Sequence, residues 1–129
     1  MQYLLDTHIW LWMLGDPDKL PPGMRLTIED DDTSLFLSAA SLWEISIKQQ
    51  LGKLRLHHPD EAFFHDRMLR TRVQPLEISM RHALIAGRLP PHHHDPFDRM
   101  LVAQAQSLDL PILSVDNKLA HYEVQLIAD

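Results

Sequence analysis

The chain has 129 residues, 45% hydrophobic and 23% charged, which suits one ordinary globular domain with a real core and excludes a disordered or fibrous protein. It contains no cysteine, so a disulfide framework, a thiolate metal site and a thiol nucleophile are all excluded, in agreement with a reducing compartment. Its 18 acids against 12 bases give a formal net charge of −6, so overall charge cannot attract nucleic acid; that would need a local basic patch or bound divalent cations.

Tyr3-Leu4-Leu5 is an apolar run long enough for a buried strand but too short for a helix. Asp6-Thr7-His8 follows, and Ile9–Leu14 has helical character, so Asp6 lies where a strand gives way to a helix. This opening stretch is too short for a membrane span and lacks the basic start and cleavage site of a signal peptide. A soluble, cytoplasmic protein with no membrane partner is expected. Gly15-Asp16-Pro17-Asp18 reads as a turn, and Pro21/Pro22 open a helix to about Asp31. The run Glu29–Asp32 reads as a solvated helix end, since it lacks the glycine spacing of a calcium loop.

Thr33–Ser38 reads as a second strand, and Ala39/Ala40 to Leu51 as a strong helix stopped by Gly52. On its wheel Ala40, Trp43, Ile47 and Leu51 form one apolar stripe with Glu44 in its middle. Glu44 then has two readings: an ion pair with Lys48 one turn on, or a functional acid, because buried acids are paired or ligating. Lys53–His58 is a basic connector, and Pro59-Asp60-Glu61 opens a helix over Ala62–Thr71 with Phe63, Phe64, Met68 and Leu69 inside. Arg67, Arg70 and Arg72 at its end suit the helix dipole, or form a phosphate-binding patch. Val73–Ile78 is a third strand, and Ser79 caps a helix to about Leu89 through Ala83, Leu84 and Ala86.

Pro90-Pro91 breaks the chain before His92-His93-His94. Asp95 then takes the N-cap of a helix whose first residue is Pro96, and Phe97, Met100/Leu101, Ala105 and Leu108 face a core. Asp98 lies near Val102 and Ala105 on the wheel, beside the apolar stripe. It either joins Asp95 in capping the helix or points inward, where an unpaired charge is costly. Leu110–Val115 is a fourth strand closed by Asp116, Asn117–Ala120 a helical turn, and Val124–Ile127 a fifth, edge strand. Short apolar strands alternating with helices predict an α/β fold, a central parallel sheet flanked by helices in one domain over residues 1–129.

Asp6 and Asp116 each follow a buried strand, which in a parallel sheet puts both on the edge where ligand sites form. Asp98 and Glu44 can point at that edge from their helices. Four carboxylates at one place repel one another unless a cation compensates, and hard oxygen donors suit Mg²⁺ or Mn²⁺.

Four stretches together carry a resemblance: Leu5-Asp6-Thr7, Ser41-Leu42-Trp43-Glu44-Ile45, Asp95-Pro96-Phe97-Asp98-Arg99 with Ala103-Gln104-Ala105, and Leu113-Ser114-Val115-Asp116. In this order, over essentially the whole chain, they resemble the PIN-domain family and, more narrowly, its VapC-type toxin ribonucleases. The resemblance implies a Mg²⁺- or Mn²⁺-dependent endoribonuclease acting on RNA, with Asp6, Glu44, Asp98 and Asp116 as the catalytic, metal-binding acids. It further implies that Asp6 and Asp98 touch the ion, that Glu44 and Asp116 touch it directly or through water, and that Thr7 and Ser114 position water or a carboxylate. The implied partner is a small antitoxin protein able to insert a basic residue among the acids, and homodimers are common in the family. RNA binding by an acidic chain directs attention to Lys48, Lys53, Arg55, Arg99 and Lys118.

Three rival readings remain. A zinc site on His92–His94, with His8, His57 or His58 assisting, has no fixed geometry, and the run reads as a surface loop. An aspartyl phosphatase wants a second acid two residues after Asp6, where His8 stands. A non-catalytic binding module with the same fold is separated from an enzyme by metal-dependent activity on RNA.

Overall fold

The computed structural model describes residues 1–56 and 60–129. The connector histidines His57 and His58 and the helix-opening Pro59 lie outside the described residues. Among the described residues five short strands form one sheet: β1 (Gln2–Leu5), β2 (Ser34–Ser38), β3 (Val73–Leu76), β4 (Ile112–Leu113) and β5 (Leu126–Ile127). Their order is β3-β2-β1-β4-β5, and every pairing is parallel. The described residues also form the connecting α-helices α1 (Thr7–Gly15), α2 (Pro22–Glu29), α3 (Ala39–Gln50), α4 (Glu61–Arg70), α5 (Met80–Arg88) and α6 (Pro96–Leu108). Single 3₁₀ turns occupy Pro17–Lys19 and Asn117–His121.

The strand period of two divides the core into layers. Leu5 and Leu113 join Ile9, Trp10, Met24, Leu35, Leu37, Ile45 and Met68 on one face of the sheet. Leu4 and Ile112 join Leu101, Val102, Ala105, Leu119 and Tyr122 on the other, beneath α6. Central β1 and β4 are buried on both faces, as parallel strands covered by helices must be. The chain winds outward from β1 in both directions, so the carboxyl ends of β1 and β4 flank the point where the strand order reverses. That crevice is where open parallel sheets bind ligands.

Several expected boundaries shift. The first helix begins at Thr7, directly after Asp6, and the third and fourth strands are shorter than the apolar runs that suggested them. The helix α3 ends in a Schellman motif: Lys53 N–H donates to Lys48 O (2.8 Å) and Gly52 N–H to Gln49 O (3.0 Å), with Gly52 at φ +73°. On α4 Met68 is buried and Phe63 and Phe64 half-buried, but Leu69, expected inside with them, is 79% exposed; on α5 the buried residues are His82 and Ala86. Leu108 is also exposed, while Leu101, Val102 and Ala105 carry the α6 contact. Among the described residues no helix is long and apolar enough to cross a membrane.

Trp10 is fully buried in the first layer, and its indole N–H donates to Thr71 Oγ1 (3.1 Å). Trp10→Ala removes the largest side chain of that layer and leaves a cavity. It is expected to cost about 3–5 kcal/mol, read by urea unfolding.

Candidate functional site

Asp6 sits at the N-cap position of α1 but makes no side-chain cap bond. Its Oδ2 instead accepts the hydroxyl of Ser114 at 2.5 Å, across 108 positions of sequence. Ser114 follows β4 directly and is fully buried; its Oγ in turn accepts the backbone N–H of Asp116 (3.0 Å). One hydroxyl therefore joins the ends of the two central strands and fixes two acids relative to each other. Thr7 behaves differently. Its hydroxyl donates to Ser41 Oγ (2.8 Å), fastening the start of α1 to α3, and reaches no carboxylate.

Glu44 is buried on α3, yet not within the apolar stripe expected for it. Trp43, Ile47 and Leu51 are exposed, and the inward face is Ala40, Ser41, Glu44 and Ile45. Its Oε2 accepts Lys48 Nζ at 2.9 Å, so the ion pair expected at this spacing forms around a buried acid. On α6 the capping is done by Asp95 alone, which accepts the N–H groups of Phe97 (2.8 Å) and Asp98 (3.4 Å). That leaves the Asp98 carboxylate out of the cap, on the side of buried Val102 and Ala105. Asp116 caps the 3₁₀ turn through Oδ1, which accepts Lys118 N–H (3.0 Å), and keeps Oδ2 for the interior.

Asp6, Glu44, Asp98 and Asp116 line one cavity of about 350 Å³, together with His8, Trp12, Lys48, Asp95 and Val115. Burial pushes the Asp98 carboxyl up to about 8, reinforced by the negative charges of Asp6, Asp95, Glu44 and Asp116. Burial also raises Asp6, while the Ser114 hydrogen bond and His8 pull it back toward the carboxylate form. The donor set is made of carboxylate oxygens whose crowding is costly as anions. Such a set fits a small hard cation, Mg²⁺ or Mn²⁺.

One residue at this site was read differently from the sequence. His92 and His94 are exposed, as a surface loop requires, but His93 turns inward. Its Nε2 lies 2.9 Å from Asp98 Oδ2 and 3.6 Å from Asp116 Oδ2. Ligand atoms of His93, Asp98 and Asp116 all fall within 4.8 Å of one another. No local pattern could have found it, because its position is set from afar. Arg99 donates to Ala86 O (2.9 Å), Leu89 O (3.0 Å), Pro90 O (3.0 Å) and His93 O (3.3 Å), and the Tyr122 hydroxyl accepts His93 N–H (2.9 Å). Arg99, considered from sequence as a base near the site, is thus engaged by carbonyl groups at the end of α5 and in the loop after it. Lys48 is held by Glu44; Lys53, Arg55 and Lys118 are exposed.

A family model described as PIN domain matches residues 3–125. Ribonuclease VapC16 of Mycobacterium tuberculosis is 41% identical over 58 residues, a match spanning 45% of this chain and 41% of that protein. Among solved structures, VapBC2 from Rickettsia felis bound to a promoter DNA fragment superposes with a TM-score of 0.70 at 15% identity, covering 98% of each chain. DNA-bound VapBC from Salmonella typhimurium gives 0.67 at 14% identity, over 98% of this chain and 97% of that one. At these identities the structural likeness is one of fold. With a family model matched over nearly its whole length, and with a five-stranded parallel sheet flanked by helices, the chain belongs to the PIN domain family.

Proposed function

We propose that this chain, taken whole as one catalytic domain, is a divalent-metal-dependent endoribonuclease that hydrolyses RNA phosphodiester bonds in the cytoplasm. We further propose that it is the toxin of a toxin–antitoxin pair. The observation that carries this reading is the convergence of Asp6, Glu44, Asp98 and Asp116, from four separate elements, on one cavity. Its relatives support the biology: one is named a ribonuclease, and Toxin-antitoxin complex from Klebsiella pneumoniae aligns over 98% of this chain with a TM-score of 0.64.

In this reading Asp6 and Asp98 bind the cation directly, and Glu44 and Asp116 bind it directly or through water. A bound Mg²⁺ or Mn²⁺ supplies Lewis acidity, activating water toward phosphorus and offsetting charge on the leaving oxygen. Ser114 holds Asp6 and the Asp116 backbone in register, and Lys48 pairs with Glu44 at the cavity. Phosphates of the RNA strand would meet Arg81 and Arg88 in a second cavity, of about 810 Å³, lined also by Leu84, Ile85, His92, His121 and Glu123. The exposed stripe Trp43, Ile47 and Leu51, with Trp43 packed edge-on against Phe97 (5.3 Å), offers an apolar face to a protein partner. The partners assigned are a small antitoxin and a second copy of the chain.

The electrostatic state of Asp98 links metal to stability. Its folded pKa of about 8 lies above the ordinary 3.8, so between those values the folded state binds the extra proton. Stability of the metal-free protein therefore falls as pH rises from about 4 to about 8 and levels off beyond. Asp98→Asn is expected to flatten that slope and to raise the melting temperature of EDTA-treated protein at pH 8, measured by thermal unfolding across pH. Cleavage of a mixed RNA substrate is expected with Mn²⁺, to vanish with EDTA, and to fall in Asp98→Asn to the EDTA level while the variant stays folded. Full cleavage by Asp98→Asn, or by EDTA-treated protein, overturns the assignment.

A further inference from the structure

The orientation of His93 assigns it a task that the four acids do not cover. Its Nδ1 accepts the backbone N–H of Asp95 (3.2 Å). A hydrogen on Nδ1 would point at that N–H, so the ring carries its proton on Nε2. Nε2 is therefore a donor, and it lies 2.9 Å from Asp98 Oδ2 and 3.6 Å from Asp116 Oδ2. Although His93, Asp98 and Asp116 cluster tightly enough to hold an ion among them, a ring with its proton on Nε2 has no lone pair there to give a metal.

The ring is also built in rather than draped over the site. Its side chain is 12% exposed. Its backbone N–H and C=O are taken by Tyr122 and Arg99, and Tyr122 is itself buried. Asp95, which fixes the imidazole through its N–H, fixes the start of α6 through its carboxylate. The same residue thus sets both members of the His93–Asp98 pair.

We propose that His93 is a positioning residue of the metal site: its Nε2–H holds Oδ2 of Asp98 and keeps Asp116 Oδ2 beside it, so that the Asp98 carboxylate is presented to a cation in one fixed orientation. This rests on reading the acids as a cation site. Hydrogen-bonded partners of ligating carboxylates tune affinity without touching the ion, by about 10- to 100-fold.

The test is Mn²⁺ binding by the full chain, measured by calorimetry for the unmutated protein, His93→Ala and His93→Gln, with circular dichroism to verify folding. His93→Ala is expected to weaken Mn²⁺ binding about 10- to 100-fold. His93→Gln, whose amide N–H can replace the donor, is expected to recover most of the loss. Imidazole ¹⁵N shifts are expected to keep the Nε2–H tautomer when Mg²⁺ is added. Binding by His93→Ala equal to the unmutated chain overturns the proposal, as does a Gln variant no better than Ala or a move of the proton to Nδ1 on Mg²⁺ addition. Failure of the unmutated chain to bind Mn²⁺ overturns the cation reading itself, and this inference with it.

Discussion

Four carboxylates share one poorly hydrated corner, and most of the local structure around it manages their repulsion. The strain is concentrated in Asp98, which burial and the surrounding negative charges push to about 8. The contacts around it bear on the other acids or lie alongside: Lys48 pairs with Glu44, the Ser114 hydroxyl donates to Asp6, and His93 Nε2 lies 2.9 Å from Asp98 Oδ2. None of these removes the cost of bringing the acids together, because an unpaired buried charge costs more than a single hydrogen bond returns. A site kept in this condition trades stability for chemistry, as functional sites commonly do.

The sheet explains why those acids meet. In the order β3-β2-β1-β4-β5 the two central strands end side by side, so residues 108 apart in sequence can share one hydrogen bond. The helices then contribute by their ends and faces. Capping by Asp95 frees Asp98 at the third position of α6, and the start of α3, held by Ser38 and tied through Ser41 to Thr7, sets where Glu44 comes round. Backbone satisfaction and site geometry are thus the same set of contacts. A change that unties a cap also moves an acid.

How far this was legible in the sequence varies with the range of the forces involved. The α/β class and the order of elements follow from local periodicity, which Leu4-Leu5 and the α6 stretch display clearly. Asp6 and Asp116 were found by strand-end logic, and Asp98 by its angle on the helix. For Glu44 the structure reverses the sequence argument: the stripe of Trp43, Ile47 and Leu51 expected to bury it is exposed, and the inward face is polar Ser41 and Glu44 beside Ile45. A helical wheel reports where apolar residues cluster, not which face tertiary contacts such as Thr7–Ser41 turn inward. His93 was not legible at all. Its inward turn depends on Arg99 gathering the carbonyls of residues 86–93 and on Tyr122 arriving 29 residues later, contacts no local pattern encodes.

The net charge of −6 is reconciled with the proposed RNA substrate by where the bases are spent. Arg25 pairs with Asp18 and Glu29, Arg67 and Arg70 with Asp66, and Arg72 with Asp31. The pairs made by Arg67, Arg70 and Arg72 weaken the case for a phosphate patch at the end of α4. Arg99 serves the fold and Lys48 serves Glu44. Lys53, Arg55 and Lys118 stay exposed, and next to the histidine loop Arg81 and Arg88 line a cavity with His92, His121 and Glu123. A divalent cation bound among the acids would offset two of their negative charges. Guidance by local charge is then what the proposed nuclease would use in place of a basic surface, because phosphate attraction is screened beyond about 10 Å in salt.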